Sequence, residues 1–228
     1  MLLLFDVDGT LLLDASDDHR DAVYEALRDV HGIADPAAAP LRAAGRTDGE
    51  LVRLIAMHFG VSAQRIDERM DAVREAACAH YARRAHADLR AHVAPGMFEL
   101  LEGLAARDGV IVALLTGNYE PIARLKLARA GLGRFFARGQ GAFGSDSEDR
   151  AELPAVARRR AGRPGGEPFP RTHTAVIGDT PLDIACARAD GVRAIGVASG
   201  PYSVEDLRAA DDVAADAAGL RSVLARML

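Results

Sequence analysis

The feature that most constrains the fold is a set of four short apolar runs that alternate with longer segments of helical period. Each run is apolar throughout and ends in turn residues, which is typical of strands buried on both faces of a parallel sheet. The predicted strands are residues 2–5, 110–115, 173–178 and 192–198. The predicted helices between them are residues 95–107, 120–132, 150–161 and 181–191. This alternation implies right-handed crossovers, and we therefore predict an α/β fold with a doubly wound parallel sheet.

A long helical insertion separates the first two predicted strands. About a hundred residues lie between them, whereas a whole strand–helix–strand unit needs roughly 30. The excess repeats the apolar spacing of amphipathic helices in segments such as DDHRDAVYEALRDVHG and GELVRLIAMHFG. We therefore predict an inserted all-helical cap at residues 14–94, joined by two connections to a core of residues 1–13 and 95–228.

Composition restricts the classes of partner. The 228 residues carry a net charge of −5, with 5% aromatic residues and no Trp, which argues against a nucleic acid as the main partner. No stretch approaches the ~20 apolar residues of a membrane span, and MLLLF is too short and lacks the basic flank of a signal peptide. Cys78 and Cys186 belong to no CxxC pair, so neither a zinc site nor a redox site is predicted. We expect a cytoplasmic protein, monomeric or homodimeric.

Two acidic residues, Asp6 and Asp8, follow the first predicted strand directly in MLLLFDVDGT. Ligands of open α/β sheets bind beyond the carboxyl ends of the strands, so both carboxylates are expected to face one crevice. Gly9 permits an unusual backbone conformation there, and Thr10 can bond back to it. Two carboxylates so close repel each other unless a cation or a shared proton intervenes, and Mg²⁺ is the natural cation for oxygen ligands.

Two other strand ends carry residues of matching chemistry. The second strand ends in Thr116, Gly117 and Asn118, a corner that can hold phosphate oxygens with side-chain donors and backbone N–H groups. The third strand ends in GDTPLD, which adds Asp179 and Asp183. Acids from two strands of one sheet can therefore face a single ion.

These segments resemble the motifs of the haloacid dehalogenase superfamily of phosphotransferases. DVDGT (6–10) is similar to its first motif, TGN (116–118) to its second and GDTPLD (178–183) to its fourth. Their order and spacing match those of the family, the helical insertion lies where the family's caps lie, and the combination is specific. The resemblance implies a Rossmann-like core and a Mg²⁺-dependent phosphatase that acts on a small phosphorylated metabolite.

The resemblance also implies a role for each polar residue. Asp6 would be the nucleophile that becomes an aspartyl phosphate, and Asp8 would be the general acid/base. Mg²⁺ would be held by Asp6, the backbone carbonyl of Asp8 and Asp179, with Asp183 close behind. Thr116 would hold a phosphate oxygen.

The third motif is where this chain departs from the family, which commonly has a lysine at the start of the helix before the fourth-motif strand. Here that place reads SEDRAELPAV, and we predict that Arg150 fills the role because Arg can clamp phosphate and carboxylate groups. Lys126, the chain's one lysine, is the alternative, although it lies well along the helix after TGN. The run 158–160, three arginines, is interpreted as a solvated helix end.

The predicted substrate-binding residues are Gly117, Asn118, Lys126 and Arg46. Arg46 precedes a predicted helix whose N-cap would be Thr47 or Asp48. In related caps a loop at this point faces the active site, which is the reason for including Arg46.

Several activities share this scaffold, so the choice among them depends on single residues. Dehalogenation in the superfamily works without the second aspartate, so Asp8 favours phosphoryl transfer. Phosphonate hydrolysis uses a cap lysine, and residues 14–94 contain none; a metal-transporting ATPase would need membrane spans. We predict a phosphatase for a small ester such as phosphoglycolate or a sugar phosphate, enclosed by a moving cap. The alternatives are a sugar phosphomutase and a non-catalytic module that binds a phosphorylated ligand.

Overall fold

Six parallel strands form one sheet at the centre of the protein, for which a computed structural model describes residues 1–228. The strands are β1 (Leu2–Phe5), β2 (Ile111–Thr116), β3 (Ala142–Phe143), β4 (Thr174–Gly178), β5 (Arg193–Val197) and β6 (Asp212–Ala214). Their order in the sheet is β3-β2-β1-β4-β5-β6. β1 is therefore central, and the chain reverses its direction of winding between β1 and β4. The predicted doubly wound α/β fold is confirmed.

Eight α-helices accompany the sheet. They are α1 (Asp17–His31), α2 (Asp48–His58), α3 (Ala63–Arg84), α4 (Met97–Ala105), α5 (Glu120–Arg129), α6 (Leu153–Ala161), α7 (Pro181–Asp190) and α8 (Ala217–Ala225). None of them is both long enough and apolar enough to cross a lipid bilayer. The last five flank the sheet, and the first three lie together between β1 and α4.

The sheet is buried on both faces, which explains why its strands are apolar throughout. Leu3 and Phe5 of β1 pack with residues of α4, α5 and α8 on one face. Leu2 and Leu4 pack with residues of α6 and α7 on the other face. Successive side chains of a strand point to opposite faces, so both kinds of position must be apolar when helices cover both.

The helices α1, α2 and α3, which we call the helical unit, surround an apolar cluster of their own. That cluster also includes Tyr119 and Ile122 at the start of α5. The helical unit therefore packs there on the six strands and α4–α8, which we call the sheet unit. Thr47 is the N-cap of α2 and accepts a hydrogen bond from the Glu50 N–H at 3.1 Å. Three helices thus fill the predicted insertion, whose division from the core at residues 13/14 and 94/95 stays a prediction.

Two features of the sheet unit differ from the sequence interpretation. The edge strands β3 and β6 were not predicted, because two or three residues are too few to show an apolar period. Arg158 is buried and donates two hydrogen bonds to Asp190, at 2.6 and 2.9 Å. The interpretation of residue 158 as part of a solvated helix end is therefore wrong.

Candidate active site

The carboxyl ends of β1, β2 and β4 meet where the sheet reverses its winding. Asp6 follows β1, Thr116 ends β2 and Asp179 follows β4. All three line a cavity of about 620 Å³, whose opposite side is formed by α1, α2 and the loop that joins them. The residues predicted from strand ends thus lie at one end of the sheet, as parallel pairing requires.

Three buried aspartates form a cluster at the bottom of this cavity. One oxygen from each of Asp6, Asp179 and Asp183 lies within 4.8 Å of the other two. The guanidinium of Arg150 contacts Asp183 and has Nη2 3.4 Å from Asp6 Oδ2. Three carboxylates beside one guanidinium leave two negative charges uncompensated. A hard divalent cation with oxygen ligands, such as Mg²⁺, fits both this charge and this donor set.

The pKa values of the cluster show the same lack of positive charge. Burial raises the pKa of Asp6 to about 7, although the Arg150 guanidinium acts in the opposite direction. Burial, with the neighbouring charges of Asp6 and Asp183, raises the pKa of Asp179 to about 8. Carboxylates withdrawn from water and placed beside one another favour the protonated form unless a cation joins them.

Asp183 also caps the start of α7. Its carboxylate accepts from the N–H and the hydroxyl of Thr180, while its own N–H bonds to the Thr180 hydroxyl. This capping box explains why an acid at the first turn of the helix reaches the cluster in one defined orientation. The two interpretations of Asp183, a helix-start acid and a member of the metal site, are therefore compatible.

Gly9 lets the loop after β1 approach the cluster closely. Its φ is +82°, and a Cβ atom at this position would overlap the carboxylate of Asp179. Thr10 donates from Oγ1 to Asp179 at 3.0 Å, and Ser199 donates from Oγ to the carbonyl of Gly9 at 2.7 Å. Ser199 was not predicted, although it follows a predicted strand end, because it carries no charge.

The side chain of Asp8 belongs to a different environment. Its two oxygens accept from the ammonium of Lys126 at 2.7 and 2.6 Å, and one also accepts from the Asn118 amide at 3.0 Å. Withdrawal from water would raise the pKa of Asp8, but Lys126, His19 and Asn118 outweigh it, and the pKa lies below its usual value. The charge of Asp8 is thus compensated within the protein, whereas that of the cluster of Asp6, Asp179 and Asp183 is not.

Lys126 and Arg150 were predicted as competitors for one role, but each lies beside a different aspartate. Arg150 is adjacent to Asp6, and Lys126 bonds to Asp8. Lys126 is completely buried and is not part of the cavity lining, whereas Arg150 lines the cavity. The structure shows Arg150 beside Asp6 at the cavity and Lys126 as a buried hydrogen-bond partner of Asp8. Which of the two fills the third-motif role, and whether Lys126 binds substrate, stay predictions.

A chain of buried hydrogen bonds continues from Lys126 into the helical unit. The Lys126 ammonium lies 3.1 Å from Nδ1 of His19, and Nε2 of His19 lies 3.0 Å from Asp48. Because an ammonium only donates, Nδ1 accepts, and Nε2 carries the proton that is donated to Asp48. Asp48 also accepts from the backbone N–H of Tyr119 at 2.7 Å.

This chain of hydrogen bonds was not found from the sequence. Its three side chains lie on α5, α1 and α2, so only packing brings them together. Asp48 was considered as an N-cap, a role that Thr47 takes instead. Lys126 was singled out as the chain's one lysine, but no sequence signal connected it with His19 or Asp48.

The remaining predicted site residues line the cavity near the carboxyl end of β2. Thr116, Gly117 and Asn118 line the cavity, and Arg46 lines it from the helical unit. The backbone carbonyl of Arg46 lies so close to Gly117 that a Cβ atom there would overlap it. The guanidinium of Arg46 is engaged by the carboxylate of Glu50 and by the carbonyl of Arg42.

Comparison with known proteins identifies the family. The family model of haloacid dehalogenase-like hydrolases matches residues 3–188. The chain belongs to this family. The resemblance seen in the three sequence motifs is therefore confirmed, and no curated protein matches the sequence.

Solved structures show the same fold. A hydrolase from Pseudomonas syringae is 23% identical over 100% of both chains, with a TM-score of 0.67. A predicted phosphoglycolate phosphatase from Haemophilus somnus is 18% identical over 98% of this chain and 97% of its own, with a TM-score of 0.65. A beta-phosphoglucomutase from Clostridium difficile is 14% identical over 99% and 95%, with a TM-score of 0.66. At these identities the likeness concerns the fold.

Proposed function

We propose that this haloacid dehalogenase-like hydrolase is a Mg²⁺-dependent phosphatase that hydrolyses a phosphate monoester through an aspartyl phosphate on Asp6. The observation that carries the proposal is the contrast between Asp6 and Asp8. Two residues apart in sequence, one faces a carboxylate cluster and the other an ammonium and an amide. Different environments for two neighbouring carboxyl groups are the usual basis for dividing nucleophile and acid/base roles between them.

The metal would be held by Asp6, the backbone carbonyl of Asp8 and Asp179, with Asp183 adjacent. When bound, Mg²⁺ would neutralise the cluster and the charge of the phosphoryl group. Neutralisation also keeps Asp6 ionised near neutral pH, as a nucleophile must be.

In the first step an oxygen of Asp6 attacks phosphorus, and the bond from phosphorus to the ester oxygen breaks. Asp8 gives a proton to the departing oxygen, which leaves as an alcohol. Asp8 must be protonated for this step, whereas its contact with Lys126 favours the ionised form. The dianionic phosphoryl group raises the pKa of Asp8 when it enters, because like charges oppose ionisation.

In the second step water attacks the aspartyl phosphate. Asp8, now ionised and stabilised by Lys126, takes a proton from the water molecule, and the bond between Asp6 and phosphorus breaks. Inorganic phosphate leaves, and Asp6 returns to its carboxylate form. One ester and one water molecule thus become one alcohol and one phosphate.

Other residues bind and position the phosphoryl group. Thr116 and the backbone around Gly117 offer donors at the end of β2, and Arg150 offers a guanidinium whose Nε has no hydrogen-bond partner. We propose that the helical unit acts as a cap over this site and excludes water on closure. A cytoplasmic location and a monomeric or homodimeric state stay predictions from the sequence.

The experiment that tests the proposal is inorganic phosphate release from a panel of phosphomonoesters, with Mg²⁺ and with EDTA. We expect release that requires Mg²⁺ and is absent in the Asp6→Asn variant. A stoichiometric need for a sugar bisphosphate, with an isomeric sugar phosphate as product, would identify the alternative phosphomutase. Absence of both reactions in folded protein would contradict the enzyme proposal and favour a module that binds a phosphorylated ligand.

A further inference from the structure

The cavity has two chemically different sides. The side formed by strand ends is polar and carries the aspartates and Arg150, which the reaction uses. The opposite side carries six larger apolar side chains, which we call the apolar wall, among polar residues of α1, α2 and the adjoining loops. The apolar wall is formed by Leu13, Val23, Tyr24, Leu41, Leu51 and Ile55. The phosphoryl group belongs at the polar side, so the leaving group of the ester must extend along the apolar wall.

The helical unit offers no uncompensated cation to this leaving group. Two arginines line the cavity beside the apolar wall. Arg20 is paired with Asp17 at 2.8 Å and with Asp21 at 3.2 Å, and Arg46 is paired with Glu50. A second anionic group on the substrate would meet only arginines whose charge is already compensated by a neighbouring carboxylate.

Negative charge near the cavity adds to this effect. Asp14 and Asp17 also line the cavity, and both are exposed. The buried cations Lys126 and Arg150 are already engaged by aspartates of the polar side. A carboxylate or a second phosphate on the leaving group would therefore lose hydration without meeting a cation that lacks a neighbouring carboxylate.

We infer that the substrate is a phosphomonoester whose leaving alcohol is uncharged and largely hydrocarbon. This inference rests on the proposed phosphatase function and names the substrate class of the same site. It departs from the sequence-based expectation of phosphoglycolate, whose leaving group carries a carboxylate. The size of the cavity agrees, because about 620 Å³ is in the range of sites that enclose a complete organic molecule.

The test uses esters that differ in one property at a time. Ethyl, butyl and hexyl phosphate vary the hydrocarbon length, and 6-phosphooxyhexanamide and 6-phosphooxyhexanoate have the same size but differ in charge. We expect kcat/KM to rise by up to about fourfold for each methylene that the apolar wall covers. We expect the amide to exceed the carboxylate by at least about tenfold, from the loss of hydration described above.

A charge placed in the apolar wall should reverse the preference. Leu51→Lys adds a cation to the cavity lining, so kcat/KM should fall for hexyl phosphate and rise for the carboxylate ester. Leu54→Lys is the matched control, because Leu54 lies on the same helix and is not part of the lining. The ratio of kcat/KM for hexyl phosphate to kcat/KM for the carboxylate ester should be unchanged in that variant.

Failure of this inference is separable from failure of the proposed function. Equal or better hydrolysis of the carboxylate ester than of the amide by the unmodified protein would overturn the inference and leave the phosphatase intact. If no ester is hydrolysed, calorimetric titration of the Asp6→Asn variant with the same two esters and Mg²⁺ still decides it. Tighter binding of the amide would support the inference, and tighter or equal binding of the carboxylate would overturn it.

Discussion

Arg150 and Lys126 are both buried cations beside aspartates, yet their surroundings differ. Arg150 contacts Asp183 and lies near Asp6 in a cluster of three carboxylates, and the pKa values of Asp6 and Asp179 are raised to about 7 and about 8. Lys126 faces Asp8, an amide and a histidine, and the pKa of Asp8 is lowered. The negative charge around Arg150 calls for another cation, whereas the charge of Asp8 is already compensated by Lys126.

The opposite pKa shifts of Asp6 and Asp8 therefore come from the charged groups beside each carboxylate more than from burial. Asp6 and Asp8 come from the same loop, and withdrawal from water favours protonation of both. One guanidinium shared among three acids does not offset that effect, and one ammonium devoted to a single acid does. The region around Arg150 is thus suited to a metal and a nucleophile, and the region around Lys126 to proton transfer.

The largest effect on turnover is expected for the nucleophile. Asp6→Asn keeps the shape of the side chain but removes the attacking oxygen's charge, so phosphate release should fall by at least about 10³-fold. Phosphate release and thermal unfolding should be measured on the same samples. Asp108→Asn is the control, since Asp108 is exposed and lies outside the cavity. Retained activity in the Asp6 variant would contradict the assigned role.

Removing the ammonium tests the other region. Lys126→Met keeps the length of the side chain but removes the ammonium from Asp8 and His19, so Asp8 keeps only the Asn118 amide as a donor. We expect kcat to fall by about 10²-fold, in the range for general acid–base groups, and the unfolding free energy to fall by about 3 kcal/mol. Urea unfolding and steady-state kinetics would measure the two effects. Unchanged kcat would show that Lys126 has only a structural role.

The Mg²⁺-induced rise in melting temperature should distinguish the regions. In metal-free protein the raised pKa values of Asp6 and Asp179 make the folded state hold protons that the unfolded state loses near pH 4, so stability falls as the pH rises from about 4 to 8. Mg²⁺ binds the ionised carboxylates, so its effect should grow over that window. At a Mg²⁺ concentration 100 times the Kd, the rise in melting temperature should reach about 5–10 °C at pH 8.

Two variants serve as controls for the metal effect. Lys126→Met should keep the full Mg²⁺-induced shift, because the ammonium is not part of the carboxylate cluster. Arg150→Met should increase the shift, because the cluster loses its one fixed positive charge, while phosphate release falls. A shift that is independent of pH, or that disappears in Lys126→Met, would contradict the division between the two regions.

The smallest effect on turnover is expected where a buried ion pair lies away from the cavity. Asp190→Asn breaks the pair with Arg158 and should lower the unfolding free energy by about 3 kcal/mol with kcat unchanged. The pKa of Asp190 is lowered despite its burial, chiefly by its bonds to Arg158. The pair therefore stabilises the protein above the usual pKa of an aspartate and is lost as the pH falls through the lowered value. Acid unfolding of both proteins would measure this.

Much of the sheet unit followed from the sequence because its constraints are local. Strands covered on both faces are apolar throughout, and parallel strands bring their carboxyl ends together, so the sequence alone places Asp6, Thr116 and Asp179 at one crevice. The short strands β3 and β6 were missed because their few residues show no period.

The chain of hydrogen bonds behind Asp8 did not follow from the sequence, because it depends on packing between distant segments. Helical spacing showed how far along α5 Lys126 lies, but not that it is buried under the helical unit. His19 shows no metal-ligand spacing in the sequence and contacts Asp48 only because α1 and α2 pack together. Arg158 was misplaced for the same reason, since its partner is 32 residues away.

The division of labour between the two aspartates is tested most directly with the Asp8→Asn variant and 4-nitrophenyl phosphate in the presence of Mg²⁺. This leaving group needs no general acid, so Asp6 should be phosphorylated, but the intermediate should not be hydrolysed without Asp8. The account predicts a burst of one nitrophenolate per site, little further turnover, and conversion of residue 6 to homoserine by borohydride, detected by peptide mass spectrometry. Steady release without a burst, with Asp6 unmodified, would contradict it.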